Sequence, residues 1–310
     1  MSEEVYHVPA LLPECLEGLN LRPGGVYVDA TFGGGGHSRA ILKQLDDTAR
    51  LLGFDQDLDA RANVPDDPRF IFIHSNFRYL RNQLRFEGAL PADGILADLG
   101  VSFHHFDSAE RGFSFRADAP LDMRMNRNAS RTAADIVNTY DAGQLWLMLR
   151  NFGDLKNPRP VVAAIERARA DGPLLTTGAL ADAVRPTLNP RREKKELAQV
   201  FQALRIEVNG EMDALRLFLE QTASVLRPGG RLCIITYHSL EDRMVKQTMR
   251  YWAEGCRCPR HVPVCVCHHV PEVEILYKKP VQADDDELAV NPRASSAKLR
   301  AVEKIAEAVS

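Results

Sequence analysis

Three aspartates and a glycine run pose the chemical question. Asp29 stands just before Ala30-Thr31-Phe32-Gly33-Gly34-Gly35-Gly36-His37, Asp55 closes the apolar run Leu51 to Phe54, and Asp98 closes the run that holds Ile95. Asp55 falls 22 residues after Gly33, counting from 33 to 55. Glycines between an apolar run and a helical pattern let a ligand lie against the backbone. No lysine follows them, so the triphosphate-binding P-loop pattern is missing. The dinucleotide fingerprint wants another glycine where this chain has Ser38 or Arg39, depending on the starting glycine. A carboxylate beside the loop repels a pyrophosphate and attracts an ammonium or a sulfonium. Together these features point to S-adenosylmethionine. Asp29 would face its charged methionine end, Asp55 its ribose hydroxyls and Phe77 its adenine, with Asp98 on the same edge. The plain alternatives are a tight turn for the glycines and a helix cap for any one aspartate.

Such residues work only if strands deliver them to one edge. Val26 to Ala30, Leu51 to Phe54, Phe70 to Ile73 and Ile95 to Leu99 read as buried strands. Ser38 to Leu45 and Phe77 to Phe86 read as the helices between them. Strands alternating with helices predict a parallel α/β sheet with right-handed crossovers. The rhythm stops near Asp107, and the chain to Asn209 offers helical segments without a convincing strand. A long helical pattern then runs to about Leu226, followed by the apolar run Leu232 to Tyr237. "LRPGG" precedes both this run and the first strand, and reads as one Pro-Gly turn used twice. The predicted organisation is a core of 1–106 and 210–310 interrupted by an inserted helical domain, 107–209.

The 310 residues, 45% hydrophobic and 26% charged, are ordinary for a globular protein of one or two domains. The sequence has no run long and apolar enough to cross a bilayer and no signal-like start, so a cytoplasmic enzyme is expected. The net charge of -3 gives no global sign of a polyanionic partner. Local patches are the exceptions: Arg185, Arg191, Arg192, Lys194 and Lys195, and the segment with Arg293, Lys298 and Arg300.

Read in order from residue 29 to residue 300, "DATFGGGGHS", "FDQD", "DLGVS", "ERGFSFR", "PLDMRM", "FQALRIEVNGE", "HSLEDR" and "NPRASSAKLR" span nearly the whole chain. In these the sequence resembles the bacterial small-subunit (16S) ribosomal RNA cytosine-N4 methyltransferases, the MraW/RsmH family. The resemblance implies a class I, Rossmann-like methyltransferase core with a helical insertion. It implies S-adenosylmethionine as donor and a cytidine of the decoding region of 16S rRNA, in the small ribosomal subunit, as acceptor. Carried over by position, the cofactor contacts fall on Gly35, Gly36 and His37 of the loop that begins at Gly33, and then on Asp55, Phe77 and Asp98. A further contact made by the family's glutamine falls on His105, which reaches less far and titrates near neutrality. A homodimer is compatible with the sequence, and no membrane partner is expected.

Methylating an exocyclic amine requires orienting a nitrogen whose lone pair is delocalised into the ring, so positioning matters most and electrostatics next. A base within folded RNA must also be splayed out. The candidates for contacting that amine are Asp98, Asp122 in "PLDMRM" and His238 in "HSLEDR". Asp122 could instead pair with Arg124, and His238 with Ser239 could cap a helix. Finally, Cys256, Cys258, His261, Cys265, Cys267, His268 and His269 crowd one stretch. In a cytoplasmic chain this suggests metal before disulfide. The Cys-x-Cys spacing is tighter than compact zinc sites prefer, and no metal is assigned from it.

Overall fold

The structure is a computed structural model, and it describes residues 9–100, 109–256, 258, 264, 266, 267 and 269–305. His105, His261, Cys265 and His268 lie outside the described residues. The chain divides into two compact units, a core unit of Met1–Gly100 with Ala214–Ser310 and a helical unit of Val101–Asp213.

The core unit opens with helix α1 (Leu12–Leu19) and continues through β1 (Val26–Asp29), α2 (Gly36–Gln44), β2 (Arg50–Asp55), β3 (Phe70–His74), α3 (Leu80–Phe86) and β4 (Ala92–Asp98). After the helical unit, α9 (Glu211–Val225) leads into β5 (Leu226–Thr236), α10 (Ser239–Ala253), β6 (Val273–Ile275), α11 (Asp285–Val290) and β7 (Lys298–Lys304). The seven strands lie in the order β3-β2-β1-β4-β5-β7-β6. The first five are parallel to their neighbours, and β7 pairs antiparallel with both β5 and β6. Leu51, Leu52, Phe54, Ile95, Leu96 and Ile234 are all sealed from solvent. Their unbroken apolar runs suit strands covered on both faces, where alternation has no value.

The expected α/β core with a helical insertion is therefore what forms, and several details differ. Phe77–Tyr79 is a short 3-10 turn capped by Asn76, and the helix proper begins at Leu80. The long helical pattern is the helix Glu211–Val225, set off from the preceding helix by Gly210 at φ 57°. The second "LRPGG" is a bulge inside β5: Ala92 of β4 faces Leu226, and Gly94, two residues on, faces Arg231.

The helical unit contains α4 (Ala133–Thr139), α5 (Ala142–Phe152), α6 (Arg159–Asp171), α7 (Thr177–Val184) and α8 (Glu193–Asn209). Thr132 with Asp135 and Asp141 with Gln144 form capping boxes that start α4 and α5. Leu121, Ile136, Leu145, Leu149, Ile165, Leu180, Val200 and Leu204 meet in a core of this unit's own. Among the described residues, no helix is long and apolar enough to cross a membrane.

Candidate cofactor site at the carboxyl edge of the sheet

β1 sits between β2 and β4, so the chain crosses to opposite sides of it and leaves a crevice at its carboxyl end, where open α/β sheets bind ligands. The glycine loop lies there. Phe32 anchors it: its N–H donates to Phe54 O (2.8 Å) and its ring packs on Phe70 and Phe72 (centroids 5.0 and 5.7 Å). Gly35 has φ 73°, and a Cβ there would lie 2.8 Å from the Phe32 ring. A Cβ on Gly36 would meet Pro9 at 2.5 Å, whereas one on Gly34 would meet nothing within 4 Å. Gly35 and Gly36 thus serve close packing behind the loop, and Gly34 marks its open side.

The carboxylates around the loop divide the work. Asp29 is buried, its Oδ2 accepting from the Ser38 hydroxyl (2.7 Å) and its Oδ1 from the Thr31 N–H (3.2 Å). Burial pushes its carboxyl above the usual range, and His37, Ser38 and Thr31 pull it back. Charged hydrogen bonds of this kind contribute about 1.5–3 kcal/mol each. Asp29 stands behind the loop as the fastener of α2. Asp55 accepts from the Gly33 N–H (Oδ2, 2.8 Å) and the Asp57 N–H (Oδ1, 2.8 Å). A strand-end carboxylate with two lone pairs on each oxygen is the group that suits the paired hydroxyls of a ribose. Asn63 closes the other side of the turn by donating to Gly33 O (3.1 Å).

Asp98 ends β4, with its N–H bound to the Thr31 hydroxyl (2.7 Å) and its Oδ1 accepting from Gly100 N–H (3.1 Å). The Tyr237 phenol, just past β5, also bonds this carboxylate. Burial, and then the charge of Asp98 and that bond, raise the phenol's pKa so that it stays a proton donor. His37 Nδ1 lies 3.9 Å from Asp98 Oδ2, and its Nε2 faces the Ala10 carbonyl at 3.1 Å. A carbonyl only accepts, so Nε2 carries a proton. Phe77 follows β3 and packs edge-on against Phe218 of α9 (5.3 Å). Tyr237 and Ser38 were not among the residues that spacing singled out. The signal for Tyr237 was its place at the end of the last strand-like run.

These residues fit S-adenosylmethionine on charge and shape. Along the edge come an aromatic, Asp55, a glycine loop with one open face, and Asp98 bonded by a phenol and a backbone amide. Such an edge favours a cation beside a ribose and disfavours a polyphosphate.

Of the three candidates for meeting an acceptor amine, two are engaged locally. Asp122 is held by Arg124 through Oδ1–Nε (2.8 Å) and Oδ2–Nη2 (2.7 Å). Burial pushes its carboxyl up, but the bonds and charge of Arg124 bring it net below the usual range. His238 caps α10, its Nδ1 accepting from Glu241 N–H (3.4 Å) and its Nε2 lying 2.9 Å from Glu241 Oε1. Glu241 Oε2 returns bonds to the N–H groups of Tyr237 (3.0 Å) and His238 (3.3 Å).

The motifs of the helical unit fasten one another. Gly112 (φ 70°) lies so close to the strip Pro120–Asp122 that a Cβ would sit 2.2 Å from Pro120 O. The buried Arg111 donates to the carbonyls of Arg124 (2.8 Å) and Met125 (3.1 Å). Asn209 clasps the same strip, accepting from Met125 N–H (2.8 Å) and donating to Met123 O (2.9 Å). "ERGFSFR", "PLDMRM" and the end of "FQALRIEVNGE" are thus parts of one knot.

Of the basic residues, Arg185 is paired with Asp182 (2.5 Å) and Glu193 (2.9 Å). Arg300 is buried against Asp242 (2.7 and 3.2 Å). Both leave the set of phosphate contacts expected from composition, because their charge is already answered. Arg191, Arg192, Lys194, Lys195 and Arg293 remain exposed.

Comparison with known proteins accords with this geometry. The sequence model of the MraW methylase family matches residues 4–305. A protein of Phocaeicola vulgatus named ribosomal RNA small subunit methyltransferase H is 52% identical over 303 residues, covering 98% of this chain and 99% of the relative. Proteins of the same name from Porphyromonas gingivalis and Clostridioides difficile are 53% and 43% identical, over 98% and 97% of this chain and 98% and 100% of their own lengths. With a match over almost its full length, the chain belongs to the MraW methylase family.

Proposed function

We propose that this chain is an S-adenosylmethionine-dependent methyltransferase that acts on the exocyclic N4 of a cytidine in the decoding region of small-subunit ribosomal RNA. The observation that carries the reading is the row of Phe77, Asp55, the glycine loop and Asp98 along one sheet edge, in a chain half identical over its full length to proteins named for that activity. The cytidine and its N4 rest on the family resemblance of the motifs.

The bound cofactor supplies an electrophilic methyl group on a sulfonium. The chain's part is to hold and orient. Asp55 takes the ribose, Phe77 flanks the adenine, Gly33, Gly35, Gly36 and His37 shape the loop, and Asp98 offers its charge to the methionine ammonium. Asp29 positions α2 from behind. For the acceptor amine, Asp98 is the strand-end carboxylate that no guanidinium clamps, with a phenol and a backbone amide bonded to it and His37 at 3.9 Å, and it is the candidate of the three that suits an N–H donor. The exposed Arg191, Arg192, Lys194 and Lys195 of the helical unit meet RNA phosphates, which fix register without reading sequence.

The test offers labelled S-adenosylmethionine and the purified protein to small ribosomal subunits lacking the modification, naked ribosomal RNA, transfer RNA and duplex DNA, followed by nucleoside mass spectrometry. N4-methylcytidine confined to the ribosomal samples is the expected result. Methyl transfer to another acceptor overturns the substrate, and cofactor binding with no transfer to any sample overturns the enzyme in favour of an assembly factor.

A further inference from the structure

The stretch between α10 and β6 contains cysteines that the methyl-transfer reading leaves without a task. Its base is closed by Glu272 N–H donating to Trp252 O (2.8 Å). Across it, the Sγ atoms of Cys256, Cys258 and Cys267 all lie within 4.8 Å of one another. Cys256 Sγ and Cys267 Sγ are 3.9 Å apart. Val266 N–H donates to Cys258 Sγ (3.4 Å), the kind of bond that steadies a ligating sulfur.

Three alternatives compete for this convergence. A disulfide requires sulfurs about 2.05 Å apart, well short of the observed pair. Apolar packing does not explain it either, because Cys256 and Cys267 are exposed and the neighbouring Val264 and Val266 are 70% and 68% exposed. Tetrahedral coordination at Zn–S distances of about 2.3 Å places sulfurs about 3.8 Å apart, close to what Cys256 and Cys267 show. A connection this long, without regular secondary structure among its described residues, must also recover the entropy of ordering from somewhere, and a metal cross-link does so.

We propose that Cys256, Cys258 and Cys267 bind a structural zinc ion, as thiolates, with the fourth position taken by a donor outside this trio. Binding releases the three thiol protons, and no redox change accompanies it. The ion is a clip between α10 and β6. It has no part in methyl transfer, so its loss leaves the cofactor site intact.

The experiment is metal analysis of the untagged, full-length protein purified without chelator. About one equivalent of zinc per chain is expected, falling below about a tenth in the Cys256→Ser/Cys267→Ser variant. Cobalt added to protein stripped of metal should give thiolate charge-transfer absorption that Cys258→Ser weakens. Stripped protein should be cleaved faster by protease between residues 254 and 272 while its dissociation constant for S-adenosylmethionine is unchanged. Wild-type protein with less than about a tenth of an equivalent of zinc overturns the proposal, as does zinc retained in full by the triple serine variant. The wild-type measurements decide the matter even if a variant fails to fold.

Discussion

The carboxyl edge of the core unit and the motif knot of the helical unit use the same residue types in opposite ways. Asp98 and Asp122 each accept a bond from the N–H two residues onward, at 3.1 and 3.0 Å. Beyond that they part. Asp122 spends both oxygens on the guanidinium of Arg124, a bidentate pair that neutralises it. Asp98 is met by a phenol and a backbone amide, with His37 at 3.9 Å and no guanidinium clamping it. Motif length is no guide to which is which: the longer "PLDMRM" holds the aspartate that is clamped by its own arginine. A site residue is recognised by interactions that remain to be made.

The contrast can be broken most forcefully at Gly112. Gly112→Ala forces a Cβ against Pro120 O from a left-handed backbone, and should cost about 3 kcal/mol or more. Denaturant unfolding would show the loss, while the dissociation constant for S-adenosylmethionine changes little. A comparable fall in cofactor affinity would mean that the knot is part of the cofactor site. Next in size, Asp98→Ala should weaken cofactor binding about ten- to a hundredfold by calorimetry, since a charge-assisted bond is lost. Asp122→Ala should lower the melting temperature instead. Equal, near-wild-type dissociation constants for both variants would erase the distinction between the two regions.

The smallest effect is one of pH, and its sign differs between Asp29 and Asp122. Asp29 has a raised carboxyl pKa, so the folded chain holds a proton that the unfolded chain has released. Its contribution therefore falls as pH climbs from about 4 toward its folded value. Asp122 has a lowered pKa, so its contribution is present above about 4 and lost as pH falls through the folded value. Unfolding midpoints measured across acidic to neutral pH should flatten on the upper limb in Asp29→Asn and on the lower limb in Asp122→Asn. An unchanged profile in Asp29→Asn would show that its carboxyl is not held protonated.

The parallel strands were legible because their apolar runs are continuous, three of them closed by an aspartate, and the glycine loop because its pattern excluded its rivals. β7 was not. "KLRAVEK" reads as a basic segment until the structure turns Arg300 inward onto Asp242, an ion pair 58 residues apart that no local pattern announces. β6, three residues long, offers too few positions for a period. α1 is short and carries a proline in its first turn. Within the site, spacing found the strand-end carboxylates but not their supports, since Ser38 and Tyr237 are defined by what they touch across the sheet.

The order in which the strands pair has a consequence for synthesis. β4 lies between β1 and β5 in the sheet, and β5 is encoded on the far side of the helical unit. At about 5–20 residues per second, the roughly 130 residues between Asp98 and Leu226 take on the order of ten seconds to leave the ribosome. For that interval Ile95, Leu96 and Ala97 sit on an unpaired, apolar edge, the kind that recruits strands from other chains. A translation product that stops inside the helical unit is therefore an aggregation template and not a smaller enzyme.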